Sequence, residues 1–132
     1  MRLIGHGIDL VEVPRIEAML AEHGGRMTKR LFTPAERAEC EGENGRDARR
    51  ATRYAARFAA KEAAMKALGT GLSDGITWQD VSVVNDPSGA PRLIITGRAK
   101  EIAEKLGANK SMVSLSHTGA HAIASVILYA EP

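Results

Sequence analysis

Cysteine is nearly absent, with Cys40 the single thiol in 132 residues. An intrachain disulfide is therefore excluded, no cysteine-rich zinc pattern exists, and a reducing compartment is the simpler setting. Aromatic side chains are scarce, at 4%, a poor composition for a protein that stacks on RNA bases. No run of about 18 apolar residues occurs, so no membrane-spanning helix is expected. The opening Met1-Arg2-Leu3-Ile4-Gly5 lacks the apolar core of a signal peptide. Charge of one sign is missing too: 18 basic against 16 acidic residues leave a net +2, too little to imply nucleic acid. The expectation is a cytoplasmic chain with neither nucleic acid nor a membrane among its partners.

What is present is an ordinary globular mixture, 44% hydrophobic and 26% charged, which rules out disorder for most of the chain. At about 150 residues per domain, 1–132 reads as one domain. A chain of this length buries roughly two thirds of its unfolded surface without metal or disulfide. Leu3 to Val11 reads as a strand. Pro14 opens a helix that carries Ile16, Met19, Leu20 and His23 and is expected to stop at Gly24-Gly25. Thr33-Pro34-Ala35-Glu36 is a capping box, and Cys40 to Asp47 reads as a loop. Ala48 to Leu68, alanine-rich and free of Gly and Pro, predicts a long helix capped by Gly69. Strands follow at Thr77–Asn85 and Arg92–Thr96 around Asp86-Pro87-Ser88-Gly89, then a helix at Arg98–Leu106. Strands at Met112–His117 and Ala122–Tyr129 close the chain. Hairpins rather than crossovers join the later strands. The fold class is α+β with antiparallel pairing.

On the long helix, Tyr54, Phe58, Met65 and Leu68 share one face, with Lys61 inside it and Glu62 on its margin. Glu62 and Lys66 stand four apart, the spacing of a solvated pair worth roughly a few tenths of a kcal/mol. A lysine among aromatics beside a glutamate admits another reading, since a ligand carrying metal and phosphate supplies both opposite charges. Asp9 either caps the turn before Pro14 or joins Glu62 as a second hard oxygen ligand, enough for Mg²⁺. Ser114-Leu115-Ser116-His117-Thr118 surrounds one imidazole with hydroxyls at a strand end. That histidine is either solvated or handles phosphate or a proton. Gly69-Thr70-Gly71 looks like a phosphate loop, yet it follows a helix, and its first meaning is a C-cap. Cys40 has no indicated base and reads as inert.

Three separated stretches, taken in order, resemble one family. Gly7-Ile8-Asp9-Leu10-Val11-Glu12-Val13 with Arg15-Ile16 is the first. Arg57-Phe58-Ala59-Ala60-Lys61-Glu62-Ala63 with Lys66 and Gly69-Thr70-Gly71 is the second, and Ser114-Leu115-Ser116-His117-Thr118 is the third. Together they are similar to holo-acyl-carrier-protein synthase, the small bacterial type of 4′-phosphopantetheinyl transferase, over nearly the whole chain. The resemblance implies that family's fold, an antiparallel sheet packed against a long helix. It implies transfer of the 4′-phosphopantetheine arm of coenzyme A to a serine of an apo acyl carrier protein, releasing adenosine 3′,5′-bisphosphate. By the same resemblance Asp9 and Glu62 hold Mg²⁺ and Lys66 assists the leaving group. Glu62 or a metal-bound water deprotonates the serine. Lys61, His117 and Thr118 hold coenzyme A, while Gly69 and Gly71 let backbone approach it. The acidic carrier protein docks on Arg15, Met19, Arg26 and Arg30, with Lys29 beside them, and the assembly is a homotrimer with coenzyme A between neighbouring protomers. The long loop from Cys40 to Arg50, basic at its end, departs from the family pattern. The alternative is a non-catalytic phosphate-ligand or carrier-protein binding module, which needs Arg15 but not Asp9, Glu62 and Lys66 together.

Overall fold

Strand β1 (Arg2–Glu12) runs directly into helix α1 (Val13–Leu31), where Pro14 occupies the first turn and its missing N–H leaves no bond unmade. The computed structural model describes residues 1–42 and 47–132. Helix α2 (Pro34–Glu41) opens on the expected capping box. The Thr33 hydroxyl accepts from the Glu36 N–H at 3.2 Å, and Glu36 Oε1 accepts from the Thr33 N–H at 3.0 Å. Helix α3 (Arg50–Leu68) ends at Gly69 in the left-handed conformation, φ 78°. The hairpin β2 (Val81–Asn85) and β3 (Pro91–Ile95), helix α4 (Gly97–Leu106), and the hairpin β4 (Lys110–His117) and β5 (His121–Ala130) complete the chain. All pairing is antiparallel: β1, β5 and β4 form one sheet in that order, and β2 pairs with β3 in a second. The architecture is α+β.

Three expectations need correction. Gly24, at φ 52° and ψ −131°, breaks the helix where expected, but a second helical segment follows at once and runs to Leu31. Met27 and Leu31 are buried, so core packing carries that second segment. Trp78–Asp80 forms a 3₁₀ turn rather than strand, because Asp80 closes its own capping box with Thr77. Cys40 and Glu41 belong to α2, and α3 starts at Arg50 rather than Ala48. Of the expected loop, 43–46 lie outside the described residues.

Close approach of α3 to the sheet places the site. A Cβ on Gly7 would lie 1.8 Å from the Ala63 carbonyl oxygen, and one on Gly5 2.2 Å from that of Ala67. Only hydrogen fits at either position, and the helix answers with buried Ala59, Ala60, Ala63 and Ala64. Helix backbone thus rests almost on strand backbone, within reach of a short aspartate. The other face of the sheet is open: Ile8, Leu10 and Met112 are 51%, 61% and 56% exposed.

A buried ion pair holds α3 to the second sheet. Lys61 Nζ lies 2.7 Å from Glu36 Oε1, both side chains fully buried. The ammonium also donates to the Trp78 carbonyl at 3.0 Å and to that of Val81, while Glu36 Oε2 accepts from the Val83 N–H at 3.0 Å. Every strong partner either group needs lies within the core.

Candidate active site

Asp9 shares the α3-facing side of β1 with Gly7 and Val11, which alternation along the strand requires. Glu62 and Lys66 stand on the helix opposite. Lys66 does not form the expected pair with Glu62; its ammonium donates across to the Ile8 carbonyl at 2.9 Å and to Asp9 Oδ1 at 3.1 Å. Lys66 stays 55% exposed while Asp9 is 18% exposed, so the ammonium stands at the solvent side of the aspartate. Burial first, and then the charge of Asp9, push the Glu62 carboxyl up, against the opposing pull of Lys66 and Arg15. Two carboxylates are therefore held close enough to repel each other. That donor set fits Mg²⁺, which takes one or two carboxylates and fills its octahedron with water and phosphate oxygens. Among the described residues no cluster of three or more metal-ligating side chains occurs.

A second feature lies on another flank of α3. A groove of about 630 Å³ is lined by Arg49, Thr52, Arg53, Arg57, His117 and Thr118. Arg57 is 6% exposed and donates to Glu39, but its Nε has no hydrogen-bond partner. That Nε is itself buried, so what Arg57 brings to the groove is its positive charge, partly answered by Glu39. The sequence reading missed these arginines, although Arg49, Arg53 and Arg57 recur every four residues, a basic stripe on one helical face. His117 and Thr118 are exposed at the groove's rim, and the Thr118 hydroxyl accepts from the Ala120 and His121 N–H groups.

Lys61 is not part of either feature. Its burial and its pairing with Glu36 withdraw it from any coenzyme A phosphate, which corrects the expectation. Gly69 and Gly71 keep positive φ, 78° and 62°, with open space where a Cβ would stand. The Arg15 guanidinium lies 5.7 Å over the Phe58 ring, which stacks on Trp78; Met19 is half-buried, and Arg26, Lys29 and Arg30 are exposed. Cys40 is inert: burial pushes its thiol up to about 12.

The α+β frame thus gathers two carboxylates and a lysine on one flank of α3 and a row of arginines on another, a donor set suited to a phosphate-bearing ligand. The chain belongs to the 4′-phosphopantetheinyl transferase superfamily, whose model matches residues 5–126. It is 47% identical over 126 residues to the holo-[acyl-carrier-protein] synthase of Koribacter versatilis, covering 96% of this chain and 98% of that one. Among solved structures it resembles the Bacillus anthracis holo-(acyl-carrier-protein) synthase in complex with CoA (3′,5′-ADP), with 34% identity, a TM-score of 0.81, and 99% and 100% of the two chains covered. The Helicobacter pylori enzyme in complex with coenzyme A is similar at 27% identity and a TM-score of 0.79, covering 94% and 99%. Among the described residues no helix is long and apolar enough to cross a membrane.

Proposed function

We propose that Asp9, Glu62 and Lys66 carry the transfer of the 4′-phosphopantetheine arm of coenzyme A to a serine hydroxyl of an apo acyl carrier protein. Adenosine 3′,5′-bisphosphate is the other product. The observation that carries this reading is Lys66 of α3 reaching Asp9 of β1 at 3.1 Å, with Glu62 one helical turn away, where the glycine–alanine contact brings strand and helix together. Asp9 and Glu62 would hold Mg²⁺, which when bound neutralises charge on the pyrophosphate. The serine oxygen forms the new bond to the phosphorus that bears the pantetheine arm, and the bond to the bridging pyrophosphate oxygen breaks. Lys66, exposed and already among oxygen acceptors, is placed to stabilise or protonate that leaving oxygen. Glu62 or a water beside it is the candidate base for the serine proton.

Arg57, with Arg53, His117 and Thr118, would hold phosphate at the nucleotide end of coenzyme A, and Gly69 and Gly71 would let the cofactor pass close to backbone. Arg57 and Glu62 are five residues apart, so their directions differ by about 140° around the helix. One coenzyme A molecule spanning both features is best served by the groove of one protomer and the carboxylates of the next. This supports a homotrimer with coenzyme A in clefts between neighbouring protomers, and the open sheet face offers the apolar surface to build it. The carrier protein docks on Arg15 and Met19 with Arg26, Lys29 and Arg30, and residues 1–132 act as one transferase domain in the cytoplasm.

Intact-mass spectrometry of an apo acyl carrier protein, incubated with this chain, coenzyme A and Mg²⁺, tests the reading. The expected result is a gain of one phosphopantetheine, abolished by chelator. An unchanged carrier mass, with coenzyme A bound but intact, would instead favour a non-catalytic binding module.

A further inference from the structure

The groove enclosed by β3, α4 and the start of β4 takes no part in the proposed reaction. Its volume is about 450 Å³, within the range of roughly 300–1,000 Å³ for small-molecule sites. Leu93, Ile95, Ala103, Ala108 and Leu128 make an apolar floor, and Arg92, Lys100 and Lys110 stand around it with one acid, Glu104. All three cations are exposed, and none has an ion-pair partner within 4.0 Å among the described residues. Leu128 pairs with Ser111 and Gly5, four residues along β5 from the Ala124 that faces Asp9. At about 3.4 Å per residue that is roughly 14 Å from the carboxylate pair.

We propose that this groove binds an amphiphilic anion, an acidic head group on an alkyl tail. Charge complementarity selects the head, because three cations without a close ion pair, set against Glu104 and against Asp86 near Arg92, still leave the mouth positive. The floor selects the tail, and the aliphatic stems of Arg92, Lys100 and Lys110 extend its walls. A small inorganic anion would use the cations and leave the floor wet. A neutral lipid would use the floor and leave the charges unanswered. No aromatic residue lines the groove, so nothing there stacks a nucleotide base.

The test is a methyl NMR titration of the full chain with decanoate below its micelle concentration, with decanol and acetate as controls. Saturable shifts of the Ala103, Ala108, Leu128 and Ile95 methyls are expected, with decanol and acetate at least about tenfold weaker. The Lys100→Gln/Lys110→Gln variant, altered only at exposed positions, should lose about tenfold in decanoate affinity, the size two partly exposed charge contacts support. It should keep its carrier-protein transfer rate, so this outcome is separate from the fate of the proposed reaction. Absent shifts, equal binding of decanol, or shifts confined to Ile8, Leu10 and Met112 on the open sheet face would each overturn the proposal.

Discussion

Glu62 holds its proton more tightly than a free glutamate, through burial first and the neighbouring Asp9 second. A folded-state value raised above the unfolded one gives stability that is full at low pH and is lost as pH rises through the folded value. Glu62→Gln removes that loss. The metal-free variant is therefore expected to melt above the wild type at about pH 8, with the difference vanishing toward about pH 4, near the ordinary carboxylate range. Thermal melts in chelator across that interval check it; a wild type that melts higher at neutral pH would contradict the charge crowding. The grouping of Asp9, Glu62 and Lys66 is expected from short motifs in recognisable order, and the structure brings the three near one another. Lys61 was misread beside them, since its partner Glu36 lies on another helix and no local spacing announces a buried pair. The row Arg49, Arg53 and Arg57 gains its meaning only once His117 and Thr118, sixty residues on, close the groove beside it.

Strand, helix and turn were legible nearly everywhere because capping boxes, an alanine-rich stretch and hairpin turns are local signals. The second helical segment after Gly24 was not, since the burial of Met27 and Leu31 that holds it is a tertiary effect. The glycines of β1 acquire their meaning only against α3. Gly7→Ala should force the strand off the helix, costing about 1–3 kcal/mol or more and separating Asp9 from Glu62. Urea unfolding and transfer rate should fall together, and a variant of wild-type stability would refute the close contact. The buried pair makes a sharper prediction. Lys61→Met alone leaves Glu36 charged in the core and should cost about 3–5 kcal/mol. Lys61→Met with Glu36→Gln should recover part of that loss in the same urea series, because the buried charge is gone while the amide oxygen still accepts from one of the two backbone N–H groups, Thr33 or Val83. A double variant as unstable as Lys61→Met alone would contradict the cost assigned to the stranded Glu36 charge.

For the whole molecule, a sheet with one face on α3 and the other showing Ile8, Leu10 and Met112 is a half-covered core. Three copies covering one another's faces would account for it and would bring an arginine groove beside a neighbour's carboxylates. Light scattering should report a trimer. Met112→Glu, a charge placed on the open face away from Asp9, should shift the population toward monomer and lower the transfer rate with it. A fully active Met112→Glu monomer would show the site complete within one chain. The central claim is that the facing carboxylates of β1 and α3 perform the transfer. Its most direct test is the single-turnover rate of Asp9→Asn and Glu62→Gln, read by intact mass of the carrier protein at saturating coenzyme A and Mg²⁺. Both variants should fold as the wild type does and lose about a hundredfold or more in rate. A near-normal rate in either one at ordinary Mg²⁺ would contradict the assignment.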